Sequence, residues 1–124
     1  MPVSISKGEL EDKISRSLTQ WEKEYLGRGS VTVKTDILRN MIIVLMKGIL
    51  SPAEQTVSES PEGALNIKRI RADLVESGRD NLGKLIKELT GANVSSFHTD
   101  ISTRTGERVM VFILDDNLEK KCCG

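Results

Sequence analysis

The longest apolar stretch of this chain is Met41-Ile42-Ile43-Val44-Leu45-Met46. Neighbouring side chains of a β-strand point to opposite faces of the sheet, so this stretch predicts a strand that is apolar on both faces. A second such strand is predicted over Arg108 to Leu114, which has apolar residues at both odd and even positions. A strand without a polar face is normally covered twice, so both should be inner strands of a sheet.

Each of these strands follows one that carries polar residues on one face. In the first, over Ser30 to Ile37, Lys34 and Asp36 alternate with an apolar side. The stretch from Val94 to Ile101 repeats this pattern, with His98 and Asp100 on the polar side. The pattern is typical of edge strands, and each pair of consecutive strands should form a hairpin.

Helices are predicted before both hairpins. Ser6 and Glu9 have the spacing of a capping box, and apolar residues then recur at helical spacing up to Tyr25. Ser51-Pro52-Ala53-Glu54 predicts the start of a short helix. A long helix is predicted from Ala64, with an apolar stripe formed by Ile67, Ile70, Leu74, Leu82, either Leu85 or Ile86, and Leu89. Gly78 falls on this stripe, which predicts either a kink, the alternative we favour, or the close approach of another backbone.

The two halves of the chain share a register. Thr-Asp-Ile occurs at 35–37 and again at 99–101, and a glycine precedes each aspartate by nine residues. We interpret this as one helix-strand-strand unit built twice, over 5–49 and 64–116, in a single domain covering 5–116. The predicted fold is α+β, with a four-stranded antiparallel sheet of order 1-2-4-3 and helices on one face. Residues 117–124 are predicted to be a flexible tail.

One face of this sheet has no helix to cover it. Met41, Ile43 and Leu45, with Met110, Phe112 and Leu114 or the alternate residues of these strands, then need a second cover. We expect a homodimer that packs sheet on sheet, or a partner protein in that place.

The composition excludes several classes of protein. Eighteen basic and eighteen acidic residues balance, which argues against binding nucleic acid by neutralising phosphates. The longest apolar stretch is far short of the ~20 residues that span a bilayer, and we expect neither a signal peptide nor a membrane span. The expected location is the cytoplasm. Cys122 and Cys123 complete no metal site, so no metal or cofactor is expected, and incidental thiols are the ordinary interpretation.

The aligned repeats place Lys34 over His98 and Asp36 over Asp100. Two such pairs could form a polar pocket, and a carboxylate beside an imidazole could transfer protons. The ordinary alternative is that all four are solvated side chains of edge strands, with Asp36 and Asp100 forming Asx-type hydrogen bonds that start their turns. Arg104, in the loop over 103–106, could hold an anion together with hydroxyl and backbone N–H groups, although hairpin turns routinely have this composition.

Lys68, Arg69 and Arg71 form a basic cluster early in the long helix. An anionic membrane or an acidic partner could bind it. The acidic neighbours Asp73 and Glu76 favour a salt-bridged, solvated helix face instead.

Two segments resemble a known bacterial family. They are Met41-Ile42-Ile43-Val44 with Gly48-Ile49-Leu50-Ser51-Pro52-Ala53-Glu54, and Phe97 through Val109, which contains Ser102-Thr103-Arg104-Thr105-Gly106-Glu107. The family is named after MpsC, the third component of a system described as sodium-translocating and membrane-potential-generating. The resemblance covers roughly residues 8 to 116. At Gly78-Arg79-Asp80 the chain departs from the Arg-Pro of relatives, and both solutions imply a bend.

The resemblance implies a cytoplasmic accessory or regulatory subunit, peripheral to the inner face of the membrane. It supplies no catalytic residues. The leading hypothesis is therefore a non-enzymatic binding or assembly protein, associated with a membrane ion or inorganic-carbon transport protein. The alternative is a module that senses a small ligand or anion through Lys34, Asp36, His98 and Asp100. An enzyme ranks third, because the chain has no nucleophile elbow and a single histidine.

Overall fold

The computed structural model describes residues 5–27 and 29–123. Its elements follow the predicted order of helix, hairpin, helices and hairpin. They are α1 (Lys7–Leu26), β1 (Thr32–Leu38), β2 (Met41–Lys47), α2 (Pro52–Val57), α3 (Pro61–Ser77), α4 (Arg79–Thr90), β3 (Val94–Ser102), β4 (Glu107–Leu114) and α5 (Leu118–Cys123).

The four strands form one antiparallel sheet in the order β1-β2-β4-β3, as the sequence predicts. The two doubly apolar strands are the inner pair, and Val44 lies opposite Met110 at the middle of their ladder. Each inner strand gains hydrogen bonds on both sides and buries one row of side chains under the helices. This arrangement follows from apolar patterning, since an inner strand exposes no backbone edge.

The hydrophobic core lies between the sheet and the helices. α1 packs on β1 and beside α4, while α3 and α4 lie near β3. Apolar residues at helical spacing on α1 are fully buried, as are alternate residues of the inner strands: Leu10, Ile14, Leu18, Ile42, Val44, Met46, Met110 and Phe112. The predicted α+β architecture with helices on one face is confirmed.

The ends of the helices match the signals in the sequence. Ser6 accepts a hydrogen bond from the N–H of Glu9 and caps α1. Ser51 and Glu54 form a complete capping box at the start of α2. α1 and α4 end at Gly27 and Gly91, which both adopt the left-handed conformation that glycine takes without a steric penalty.

The long helix breaks at Gly78, which confirms the predicted kink and divides it into α3 and α4. Its apolar stripe differs from the prediction. Ile70 and Leu74 are 56% and 40% exposed, whereas Arg71 and Val75 are buried. The physical reason is an ion pair between Arg71 and α2, which turns this face of α3 toward the core.

The chain after β4 differs from the predicted flexible tail. Residues Leu118–Cys123 form α5, and Leu118 is completely buried. The Glu119 carboxylate accepts hydrogen bonds from Lys7 Nζ at 2.7 Å and from the Arg39 N–H at 3.1 Å. One leucine and one carboxylate thus fix this segment against α1 and the first hairpin. The side chains of Cys122 and Cys123 lie outside the described part.

The internal repeat stays a prediction, but the register limits how it could be aligned. Asp36 lies opposite Ile43, and Asp100 lies opposite Val109. The two aspartates are 64 positions apart in the chain, whereas their partners are 66 apart. The turn of the second hairpin is longer by two residues, so no single shift aligns both strands of the hairpins.

Candidate functional site

The uncovered side of the sheet is its most distinctive surface, and we call it the open face. None of its residues is buried, in contrast to most of their neighbours on the helix side. By strand alternation and register it consists of Thr32, Lys34, Asp36, Leu38, Met41, Ile43, Leu45, Lys47, Ser96, His98, Asp100, Ser102, Glu107, Val109, Val111 and Ile113.

On β4 the open face carries Val109, Val111 and Ile113. The set Met110, Phe112 and Leu114, which the sequence analysis named first, is buried beneath the helices. Both rows of side chains on β4 are apolar, so the sequence alone does not show which row faces the helices. Val109 is 40% exposed, an unusual environment for a β-branched residue at the centre of a sheet.

The apolar centre of the open face is flanked by charged residues. Met41, Ile43 and Leu45 on β2 lie beside their partners Ile113, Val111 and Val109 on β4. Polar side chains surround this block on the edge strands and at one end of the inner strands: Lys34, Asp36, His98, Asp100, Lys47 and Glu107. An apolar centre with a polar rim is the usual composition of a protein interface.

The four residues predicted to line a polar pocket share the open face but not one location. Lys34 and Asp36 lie on β1, and His98 and Asp100 lie on β3, at opposite edges of the sheet. Three inter-strand spacings separate these edges, which amounts to about 14 Å. One copy of the sheet therefore does not bring the four side chains into contact.

Asp100 has structural partners of its own. Its Oδ1 accepts a hydrogen bond from the N–H of Ile101 at 2.8 Å and lies 3.3 Å from Lys68 Nζ. The backbone hydrogen bond is the main cause that lowers the pKa of this carboxyl, the ion pair with Lys68 adds to it, and slight burial opposes both. Because this bond goes to the next residue within β3, it holds the carboxylate at the strand edge and does not start the turn.

Arg104 lies in the turn between β3 and β4 and is exposed. The turn faces the end of α2 across a cavity of about 400 Å³, which Gln55, Ser58 and Glu59 also line. The Oγ of Ser58 is buried, and it has no hydrogen-bond partner among the described residues. Glu59 adds negative charge where an anion would have to bind, which weakens the anion interpretation.

A larger cleft of about 680 Å³ separates α4 from the β3 edge. Arg79, Lys84, Lys87 and His98 line it together with Asp80. The guanidinium of Arg79 donates to the carbonyl oxygen of Phe97 at 2.6 Å and lies 5.4 Å from the centre of its ring. Arg79 thus has a structural role, whereas Lys84 and Lys87 project from the exposed surface of α4.

An ion pair that the sequence pattern does not predict joins α2 and α3. The guanidinium of Arg71 donates to both carboxylate oxygens of Glu54, with Nε and Nη2 at 2.9 and 2.7 Å. Glu54 also accepts the N–H of Ser51 in the capping box. Burial alone would raise the pKa of this carboxyl, but the bonds from Arg71 and Ser51 together lower it.

Arg108 is a second buried arginine and is only 2% exposed. It donates to Thr99 Oγ1 at 2.8 Å and to the carbonyl oxygen of Arg71 at 3.3 Å. Burial, and next the charge of Arg71, lower the pKa of Arg108 to about 10, against opposing effects of Glu22 and Asp100. Arg108 lies two residues before buried Met110 and therefore on the same face of β4. This alternation is the signal in the sequence that could have predicted its burial. The two arginines join α2, α3 and the sheet.

Side chains occupy both backbone edges of the sheet. At the β1 edge, the N–H of Ile37 donates to Glu11 Oε2 at 2.8 Å. At the β3 edge, Asp100 accepts the N–H of Ile101, and Arg79 donates to the Phe97 carbonyl. Such contacts block the addition of another strand, so the face is more accessible to a partner than the edges.

Other classes of site find no support in the part of the chain that the structure describes. Over 5–27 and 29–123, no cluster of three or more His, Cys, Asp or Glu residues could hold a metal ion. Across the same ranges, none of the helices is both long and apolar enough to cross a bilayer.

Fold and site together define a small α+β protein with helices on one side of a four-stranded sheet and an apolar face open on the other. The chain belongs to the MpsC family, whose description is "Na+-translocating membrane potential-generating system" and whose model matches residues 6–116.

Two relatives come from Bacillus subtilis (strain 168). The uncharacterized protein YbcI is 64% identical over 115 residues, which cover 93% of each chain. The uncharacterized protein YrhF is 27% identical over 100 residues, covering 80% of this chain and 82% of its own. No solved structure matches the chain.

Proposed function

We propose that this protein is a non-enzymatic binding and assembly subunit that self-associates through its open face. It acts in the cytoplasm, at the inner surface of the membrane, as an accessory or regulatory subunit of an ion or inorganic-carbon transport system. The observation that carries the assembly role is the apolar block of six side chains on β2 and β4, which none of the helices in the described part of the chain covers. The family description supports the connection to a membrane-potential system.

Self-association is favoured because it removes apolar surface of the open face from contact with water. Each square ångström of apolar surface removed from water contributes about 25 cal/mol, so covering a contiguous block is favourable in a way that covering scattered residues is not. Val109 lies within this block, beside Leu45 and Asp100 in the sheet register. Because side chains already bind the backbone at both edges of the sheet, association through the open face is favoured over the addition of a strand at an edge.

Oligomeric state tests the assembly role directly. Val109→Asp places a carboxylate in the centre of the open face, and we expect it to shift the protein from dimer to monomer in size-exclusion chromatography with light scattering. Leu65→Asp is the matched control, because Leu65 is a 62% exposed residue of α3 on the helix side. A wild-type chain that stays monomeric at high micromolar concentration, or an unaffected Val109→Asp dimer, would contradict the proposal.

The transport role needs a cellular test. In a bacterium that carries this gene, deletion should reduce the Na⁺-dependent membrane potential measured with a potential-sensitive dye. The wild-type and Leu65→Asp chains should restore it, whereas Val109→Asp should not. An unchanged potential after deletion would reject the connection to transport and leave the assembly role intact.

The second candidate is a module that senses a small anion. The cations that line the cleft between α4 and β3 favour it, and His98 connects this cleft to the open face. Bicarbonate, phosphate and sulfate are the probes, and a rise in unfolding temperature that His98→Ala abolishes would support sensing. If none of the three anions shifts the unfolding temperature, this candidate fails.

A further inference from the structure

We infer that a second copy of this chain occupies the open face with its strands aligned, about a two-fold axis that runs parallel to the strands between β2 and β4. The two sheets then bring the polar residues of opposite edges together, and each copy completes a charged site that neither forms alone. This inference rests on the proposed self-association and specifies its geometry.

Four rows of residues cross the open face from β1 to β3. Strand register defines them. They are Leu38–Met41–Ile113–Ser96, Asp36–Ile43–Val111–His98, Lys34–Leu45–Val109–Asp100 and Thr32–Lys47–Glu107–Ser102. The middle rows have complementary groups at their two ends, since the Lys34 ammonium shares a row with the Asp100 carboxylate, and the Asp36 carboxylate shares one with the His98 imidazole, which can donate a hydrogen bond.

Rotation about the strand-parallel axis stacks each row on its own copy and exchanges β1 with β3 and β2 with β4. Lys34 then lies over Asp100 of the second copy, and Asp36 lies over His98 of the second copy. Lys47 likewise meets Glu107 of the second copy. Symmetry produces each pair twice, which gives six pairs of complementary side chains around the interface.

The same rotation stacks the apolar block on itself. Met41 meets Ile113 of the second copy, Ile43 meets Val111, and Leu45 meets Val109. Aligned packing of this kind is usual for β-sheets that pack face to face, with their strands within about 30° of each other. One geometry therefore buries the apolar centre and also pairs the polar residues of the rim.

An axis perpendicular to the strands is much less favourable. It stacks the first row on the last, so that Lys47 and Glu107 of one copy lie over Met41 and Ile113 of the other. Charged groups would then be desolvated against apolar side chains, which costs several kcal/mol per ion unless they are paired. The charge pattern selects the strand-parallel axis.

The size of the face limits the affinity. Four strands of seven residues cover roughly 20 Å by 23 Å. A stable interface buries about 800 Å² on each partner. The area of this face lies toward the low end of the range of interface sizes, even when the extra surface of protruding side chains is included. We expect a dimer that dissociates on dilution through the micromolar range. Its rim charges fix orientation more than they add affinity.

A mixing experiment tests the geometry. Asp36→Lys and His98→Glu each place like or unpaired charges opposite each other in a homodimer. In the mixed dimer, the introduced lysine meets the introduced glutamate, and native Asp36 of one chain meets native His98 of the other. Neither side chain makes a hydrogen bond or ion pair within the described part of the chain, so both variants should fold.

We expect each variant alone to dissociate at least tenfold more readily than wild type, and the equimolar mixture to recover dimers in sedimentation velocity. Lys34→Glu mixed with Asp100→Lys is a second complementary pair, with folding checked by circular dichroism because Asp100 also binds the Ile101 N–H. Lys13→Glu, on the exposed surface of α1, reverses a charge away from the face and should change nothing.

Recovery in both mixtures supports the strand-parallel axis. An axis perpendicular to the strands would place Lys34 over Asp36 of the second copy, so neither mixture would recover. If Val109→Asp abolishes dimerisation but the mixtures stay monomeric, the geometry is wrong while self-association through the face still holds.

Discussion

Gly78 lies directly against the indole of Trp21. A Cβ atom at residue 78 would be 2.7 Å from Cζ2 of Trp21 and 3.0 Å from Cε2 of Tyr25, whose ring stacks on the indole with centroids 5.1 Å apart. The break between α3 and α4 thus brings a backbone without a side chain against the aromatic pair of α1. The predicted kink holds at this position, whereas the close neighbours of the glycine are aromatic side chains and not another backbone.

We predict that Gly78→Ala lowers the free energy of unfolding by about 1–3 kcal/mol, because the new methyl group displaces a packed ring. Gly83→Ala is the matched control, since a Cβ there has no neighbour within 4 Å. In the middle of α4 that change should stabilise by about 0.5–1 kcal/mol through higher helix propensity. Urea titration followed by circular dichroism measures both, and a neutral Gly78→Ala would contradict the packing argument.

The two buried arginines should respond differently to substitution by methionine. Arg71→Met leaves Glu54 partly buried without its cation and should cost about 2 kcal/mol. Arg108 has no carboxylate within contact in the described residues, so Arg108→Met removes a buried charge and should stay within about 1 kcal/mol of wild type or exceed it. Chemical denaturation compares them, and equal losses would mean that Arg108 stabilises the fold through its hydrogen bonds.

Acid should destabilise the protein in part through Glu54. The pKa of this carboxyl is lower in the folded chain than its ordinary value of 4.5. Its contribution to stability is therefore present above pH 4.5 and is lost as the pH falls through the lowered pKa. Glu54→Gln should make the free energy of unfolding fall less steeply between about pH 5 and pH 3. Parallel slopes for variant and wild type would contradict this.

Glu11 should protect the β1 edge. Glu11→Ala leaves the N–H of Ile37 without its acceptor, so we expect a loss of about 1 kcal/mol and faster aggregation on heating, measured by light scattering. Lys13→Ala changes an exposed residue of the same helix and serves as the control. Aggregation at the wild-type rate would show that another contact protects this edge.

Apolar periodicity in the sequence predicted most of the fold. The doubly apolar stretch over Met41–Met46 identified an inner strand, and the polar sides of Lys34 and His98 assigned their strands to the edges. Sheet order follows from these two facts, because a strand that is apolar on both faces gains most from neighbours on both sides. Caps at Ser6 and Ser51 fixed where two helices begin.

The candidate site was predictable only in part. The existence of an open apolar face follows from the sequence, because the strands carry more apolar surface than the helices can cover. Which side of β4 remains open does not follow from the sequence. Val109 and Met110 are both apolar, so the sequence does not show which of them faces the helices. The register of β4 with β2 determines this. The same limit applies to the predicted pocket, whose four residues share a face but lie at opposite edges.

By itself, the sequence determined the helices and strands up to the end of β4, and which strands lie inside the sheet, because periodicity and caps act over a few residues. Tertiary structure alone decided the inward turn of Arg71, the burial of Leu118 and the composition of the open face. Each of these depends on contacts between segments far apart in the chain, where an ion pair or a strand register overrides local pattern.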